Sequence, residues 1–148
     1  MPSTHLSLHY HLVFSTKERY PWIEAAWRAR LHEFLGGCVR QLKGIPEAVG
    51  GTEDHVHLLV GLRATHTLAD VLRDIKKASS NWVHDSVGKR IFQWQEGYGA
   101  FTVSAPMRAT VVRYIRNQER HHRKLSFQDE YRDFLRKSGM AFKEEHLW

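Results

Sequence analysis

Hydrophobic and polar positions alternate at the start of the chain. Leu6, Leu8, Tyr10, Leu12 and Phe14 fall on one side, with His5, Ser7, His9 and His11 on the other. A period of two marks a strand with one face in a core, here His5 to Phe14. After the polar loop Thr16-Lys17-Glu18-Arg19 the period changes. Pro21 opens a helix to about Lys43, with Ile23, Trp27, Leu31, Phe34, Leu35 and Val39 at helical spacing. Gly36-Gly37 is the weak point in its middle. Two short strands, Ile45 to Val49 and Asp54 to Leu62, follow between glycine and proline punctuation. Thr67 caps a second helix to about Val87, with Leu68, Val71, Leu72, Ile75, Trp82 and Val83 as its apolar stripe. Ile91 to Trp94 and Ala100 to Ser104 read as extended pieces joined through Gly97-Tyr98-Gly99. Pro106 stands where helices begin, and Met107 to about Arg120 reads as helical. Ser126 with Asp129 caps a last helix that stops before Gly139, and Met140 to Trp148 is an amphipathic tail.

The core order β-α-β-β-α-β predicts an α+β fold. Its form is a ferredoxin-like antiparallel sheet with helices on one face, plus a C-terminal helical segment carrying a tyrosine, Tyr114. The other face of the sheet is then solvated, covered or functional. There is no repeat, low-complexity tract or linker, so residues 1–148 read as one domain.

Composition narrows the setting. A chain of 148 residues with 42% hydrophobic positions can bury a core without disulfides. The single cysteine, Cys38, excludes an intramolecular bridge and a thiolate cage, which points to a reducing, cytoplasmic location. No apolar run approaches the ~20 residues of a membrane span, and MPSTHLSLHYH lacks the regions of a signal peptide. No membrane partner is expected. The net charge of +6 favours a polyanion, nucleic acid first.

The stretch Asp54-His55-Val56-His57-Leu58-Leu59-Val60 adds chemistry. Residues two apart share a strand face, so His55 and His57 point together while Val56, Leu58 and Val60 face the helices. Their rings can lean onto one cation, or serve a polar face structurally. His9-Tyr10-His11 repeats the spacing in the first strand, and in a ferredoxin-like sheet the first and third strands are neighbours. One pair would then ligate and the other support it, orienting ligands or approaching a phosphate.

Candidates for a third ligand and a nucleophile lie on the helix Val111-Val112-Arg113-Tyr114-Ile115-Arg116-Asn117-Gln118. Tyr114 and Gln118 are four apart on one face, with His121 and His122 about a turn further on. Arg108, Arg113, Arg116, Arg120, Arg123 and Lys124 crowd the rest against one acid, Glu119. One reading is a solvated basic face with a structural tyrosine. In the other, arginines neutralise phosphates, Gln118 offers a neutral oxygen and Tyr114 a phenolate nucleophile.

These residues resemble the single-tyrosine HUH transposases of bacterial insertion sequences, relatives of REP-associated tyrosine transposases. The likeness rests on His55-Val56-His57 followed by Tyr114-x-x-x-Gln118. Tyr10-His11-Leu12-Val13-Phe14 with Thr16-Lys17, the stretch Trp94 to Phe101, and Asn117 to His122 extend it over nearly the whole chain. The resemblance implies a dimer and Mg²⁺ or Mn²⁺ held by His55, His57 and Gln118, with Tyr114 as nucleophile. His9 and His11 become the supporting pair, His11 the better candidate. It implies single-stranded DNA with hairpin ends as substrate and a 5′-phosphotyrosine intermediate. It also implies a tyrosine helix that can serve the partner subunit, for which Gly97, Gly99 and Pro106 are hinge candidates.

Phosphate contacts are expected from Arg73, Lys76 and Lys77 on the second long helix and from Arg113, Arg116 and Arg120. Trp94, Tyr98 and Phe101 are candidates for base stacking, with core or turn packing favoured for Trp94 and Phe101. A histidine-triad hydrolase is excluded because position 59 is Leu59. A two-histidine phosphoesterase lacks its second H-x-S/T motif after His5-Leu6-Ser7. The rival that stands is a domesticated module that binds hairpin DNA and cuts little or not at all.

Overall fold

The computed structural model describes residues 3–122 and 125–140. Arg123 and Lys124 of the basic run, and the tail from position 141, lie outside them. Four strands, β1 (His9–Ser15), β2 (Ile45–Gly51), β3 (His55–Gly61) and β4 (Gly99–Thr102), form one antiparallel sheet in the order β2-β3-β1-β4. With α1 (Ala25–Gln41) between β1 and β2, and α2 (Leu68–Trp82) between β3 and β4, this is the ferredoxin-like arrangement.

Several boundaries differ from the sequence pattern for physical reasons. The alternation begins at His5, but β1 begins at His9, paired with Gly61 at the last residue of β3. Beyond it one further bond, from the Leu62 amide to the Leu8 carbonyl at 2.9 Å, ends the pairing, and Leu6 is exposed. Helix α1 starts at Ala25 rather than Pro21, because the Ile23 amide donates to the Glu53 carbonyl in the loop before β3. Gly36-Gly37 does not interrupt α1, and Gly36 is buried facing Pro46 at the start of β2. Ile91 to Trp94 forms no strand, only a single bridge from Trp94 to Thr16. Its rings are drawn into the core instead: Phe92 is fully buried, and the Trp94 indole donates to Ser79 Oγ at 3.0 Å. Thr67 and Ser126 cap their helices as expected, each accepting from an aspartate amide three residues on.

The sheet has two packed faces. Leu12, Phe14, Val56, Leu58 and Val60 meet α1 and α2 in the main core. On the reverse, Leu59 and Ala48 meet Ile115 and Val103 in a smaller cluster beneath α3 (Arg108–Arg116). The helix expected over Met107 to Arg120 breaks at Asn117 and continues as α4 (Gln118–His121). Helix α5 (Phe127–Lys137) then crosses the same face, with Phe134 against His11 and Phe101 and Phe127 stacked on His55. The face opposite α1 and α2 is therefore covered by the C-terminal helices of the chain itself.

Candidate active site

Register puts the histidines together. His57 pairs with Val13 and His55 with Ser15, so His9, His11, His55 and His57 all project from the face under α3 and α5. His55 and His57 are fully buried, with ring centroids 5.1 Å apart. His11 stands behind His57, Nε2 to Nδ1 at 2.7 Å. His9 is at the strand end, with Nδ1 3.6 Å from Glu47, and touches neither HUH histidine.

The tyrosine helix reaches these rings because the backbone beneath it is bare. A Cβ on Gly50 would lie 2.2 Å from the Ile115 carbonyl oxygen, so only glycine lets α3 settle this closely on β2. Tyr114 then lies with its ring 5.7 Å from that of the same chain's His57. The kink at Asn117 brings Gln118 inward, 1% exposed, with Oε1 3.0 Å from His55 Nε2. The Gln118 amide nitrogen donates to the Tyr114 carbonyl at 3.3 Å, which orients the oxygen towards His55.

Hydrogen bonding sets the tautomers. Asp54 Oδ1 accepts from His55 Nδ1 at 2.8 Å, which leaves the Nε2 lone pair facing the Gln118 oxygen. Two acceptors at that separation are an arrangement for a cation. Burial tends to raise Asp54, but hydrogen bonds from His55 and Thr52 oppose it, and the carboxyl is held below its ordinary range. Thr52 Oγ1 donates to Asp54 Oδ1 at 3.2 Å. His57 Nε2 donates to Glu130 Oε1 at 2.8 Å, so its Nδ1 accepts from His11. Burial lowers the His57 pKa to about 4 against the opposing pull of Glu130.

Glu130 was not among the residues expected from the sequence. It is 2% exposed and faces the site from α5, with Oε2 accepting from the Tyr114 hydroxyl and from His122 Nε2, the latter at 3.1 Å. His121 Nε2 lies 3.1 Å from the same oxygen without hydrogen-bond geometry. Burial, then the Glu130 charge and hydrogen bond, push the Tyr114 phenol far above its ordinary value. His55, His57, His122 and Glu130 offer ligand atoms all within 4.8 Å of one another, a group able to hold a metal ion. The missed signal was an acid at Glu130 on a face otherwise marked by Phe127 and Phe134, where helical spacing asks for an apolar residue.

The cationic candidates divide. Arg113, Arg116 and Arg120 are exposed on α3 and α4. On α2, Lys77 is exposed, while Arg73 pairs with Asp70 and Asp74 at 3.1 Å each. Lys76 Nζ donates to the Gln95 and Gly97 carbonyls at 2.7 and 2.8 Å, which pins the turn before β4. Helix α2 lies on the opposite sheet face from Tyr114. Trp94 and Phe101 pack inside, whereas Tyr98 is 41% exposed.

Comparison with known proteins gives the family and the fold. The family model described as "Transposase IS200 like" matches residues 4–118. A solved candidate transposase from Deinococcus radiodurans R1 superposes with a TM-score of 0.64 at 27% identity, covering 80% of this chain and 95% of that one. A REP-associated tyrosine transposase bound to a REP hairpin has the same fold, with a TM-score of 0.57 at 14% identity, covering 78% of this chain and 68% of that one. No curated protein sequence matches the chain. Among the described residues, no helix is long and apolar enough to cross a membrane.

Proposed function

The chain belongs to the IS200-like transposase family, and from that premise we propose that it cuts and rejoins single-stranded DNA at hairpin-bearing ends through a 5′-phosphotyrosine link on Tyr114. The observation that carries the reading is the meeting of His55 Nε2 and Gln118 Oε1, 3.0 Å apart, beside His57 and Tyr114. Neutral imidazole nitrogens and an amide oxygen suit Mn²⁺ or Mg²⁺, so His55, His57 and Gln118 are the residues that would hold it. When bound, such an ion supplies charge stabilisation for oxygens of the scissile phosphate.

The chain's own residues do the rest. As Tyr114 Oη attacks phosphorus, its proton passes to Glu130 Oε2, which already accepts from that hydroxyl. The bond to the 3′ oxygen breaks, and that oxygen leaves as a hydroxyl on taking up one proton in exchange. The phosphotyrosine keeps the phosphoester energy, so a second 3′-hydroxyl reverses the step without ATP. His57 Nε2 must give up its hydrogen to become a ligand. The ring then carries its proton on Nδ1, and His11 Nε2 accepts the reversed bond across the same 2.7 Å. Exposed Arg113, Arg116 and Arg120 supply cationic surface for the strand. A hairpin substrate is suggested by the relative solved with one. A homodimer in the cytoplasm completes the reading.

One observation favours the binding-module alternative. The Tyr114 hydroxyl is held by a carboxylate, and its pKa is raised, so the phenol rests protonated. The two readings part on denaturing gels of labelled single-stranded DNA carrying the flanking ends of the encoding element, with Mg²⁺ or EDTA. The expected result is a Mg²⁺-dependent adduct on the 5′ end of the downstream fragment, absent with Tyr114→Phe. Hairpin binding without any adduct, across metals and ends, would make the protein a binding module.

A further inference from the structure

Glu130 is a buried carboxylate whose two oxygens face different groups. Oε1 lies 2.8 Å from His57 Nε2 and 3.8 Å from His55 Nε2. Oε2 accepts from the Tyr114 hydroxyl and from His122. A buried anion is costly unless a cation or several donors answer it. Two imidazoles and an amide alone make an uncharged site, which holds a hard divalent ion weakly.

We infer that Glu130 is a fourth protein ligand of the cation, bound through Oε1 beside His55, His57 and Gln118. The inference rests on the reading that those three residues hold a cation. His122, the other member of the cluster, is occupied differently: its Nε2 points at Gln118 Oε1 and Glu130 Oε2, at 3.0 and 3.1 Å, and serves both as a donor. Its lone pair is not offered to the centre. Glu130 offers Oε1 there while Oε2 keeps the nucleophile's hydroxyl alongside. The ligand comes from α5, beyond the residues 4–118 that match the family model. Two nitrogens with one carboxylate and one amide oxygen select Mn²⁺ over Mg²⁺, whose preferred shell is oxygen and water.

The test measures Mn²⁺ affinity of the full chain without DNA, by electron paramagnetic resonance of the free ion. Wild type is compared with Glu130→Gln, Glu130→Asp and His55→Ala, each checked for native circular dichroism. Glu130→Gln is expected to lose affinity by roughly tenfold or more, with Glu130→Asp recovering part of it. Excess Mg²⁺ is expected to compete poorly with Mn²⁺ in wild type. Wild-type affinity in Glu130→Gln, with binding lost in His55→Ala, overturns the inference and spares the cation reading. Equal affinity in all the variants, or none in wild type, overturns the cation reading itself. Should Glu130→Gln fail to fold, wild-type crystals soaked in Mn²⁺ decide. An anomalous peak touching Glu130 Oε1 supports the ligand, and one touching only His55, His57 and Gln118 overturns it.

Discussion

His11 and His57 are two buried imidazoles in series, and both are held neutral. Burial lowers His57 to about 4 and, together with the neighbouring His57, lowers His11 to about 3. In the unfolded chain each returns to its ordinary 6.5. Below that pH the unfolded state binds protons that the folded state refuses, so stability falls as pH falls through the window from 6.5 to about 4. Glu130 acts in the same direction at the lower end. Burial would raise it, but hydrogen bonds from His122 and His57 outweigh burial and hold its carboxyl below the ordinary range. His122 acts in the opposite sense. Its pKa is raised by Glu130 against burial, so its contribution is present at low pH and lost as pH rises past its folded value. His32, which burial lowers to about 4, adds a third depressed ring, and the three outnumber it. Urea unfolding at about pH 7 and about pH 4.5 is expected to show a loss on the order of a few kcal/mol at the lower pH. His11→Asn is expected to flatten that dependence, and an unchanged slope would deny His11 its part.

At the scale of elements, the site depends on how closely α3 lies on β2. Gly50 permits that approach, since any Cβ there meets the Ile115 carbonyl at 2.2 Å. Backbone cannot give way as a side-chain tip can, so Gly50→Ala must lift α3. We expect a loss of about 1–3 kcal/mol in thermal or urea unfolding. Adduct formation by Tyr114 should fall more than stability explains, because the helix that moves carries the nucleophile. Normal cleavage in a destabilised Gly50→Ala would show that α3 need not sit this close. Periodicity made α1, α2 and α5 legible, together with the caps at Thr67 and Ser126. It did not reveal the break at Asn117, because local spacing carries no information about where a helix must turn to bring Gln118 to His55. Nor did it reveal that Ile91 to Trp94 lacks a strand partner, which only the core's demand for Phe92 decides.

Across the whole molecule, exposed basic residues among the described ones lie on both faces of the sheet. The side with Tyr114 carries Arg113, Arg116 and Arg120, exposed beside the site. Each arginine that meets a phosphate contributes about 0.7 to the slope of log affinity against log salt on single-stranded DNA. Anisotropy titrations over a range of KCl are expected to lose that amount in Arg113→Ala, Arg116→Ala or Arg120→Ala, with little change of sequence preference. Lys76→Ala should behave differently. Its ammonium is committed to the Gln95 and Gly97 carbonyls, so melting temperature should fall while the salt slope stays. A reduced slope would place Lys76 on the strand after all.

The order of elements, the antiparallel sheet and the shared face of His55 and His57 were determined by sequence alone, because period two and period 3.6 are local properties of the chain. The HUH pair and the tyrosine four residues before Gln118 stood out through their resemblance to the motifs of single-tyrosine HUH transposases, which periodicity alone left open. Glu130 did not. Its spacing marked only an odd acid on an apolar helix face, and its meaning depends on α5 crossing the sheet 73 residues after His57. Asp54 as the partner of His55 was likewise unmarked, whereas His11 was expected as a supporting histidine and stands behind His57. Tertiary structure decides such contacts, because a buried polar atom is answered by whatever packing brings within about 3 Å, at any distance along the chain.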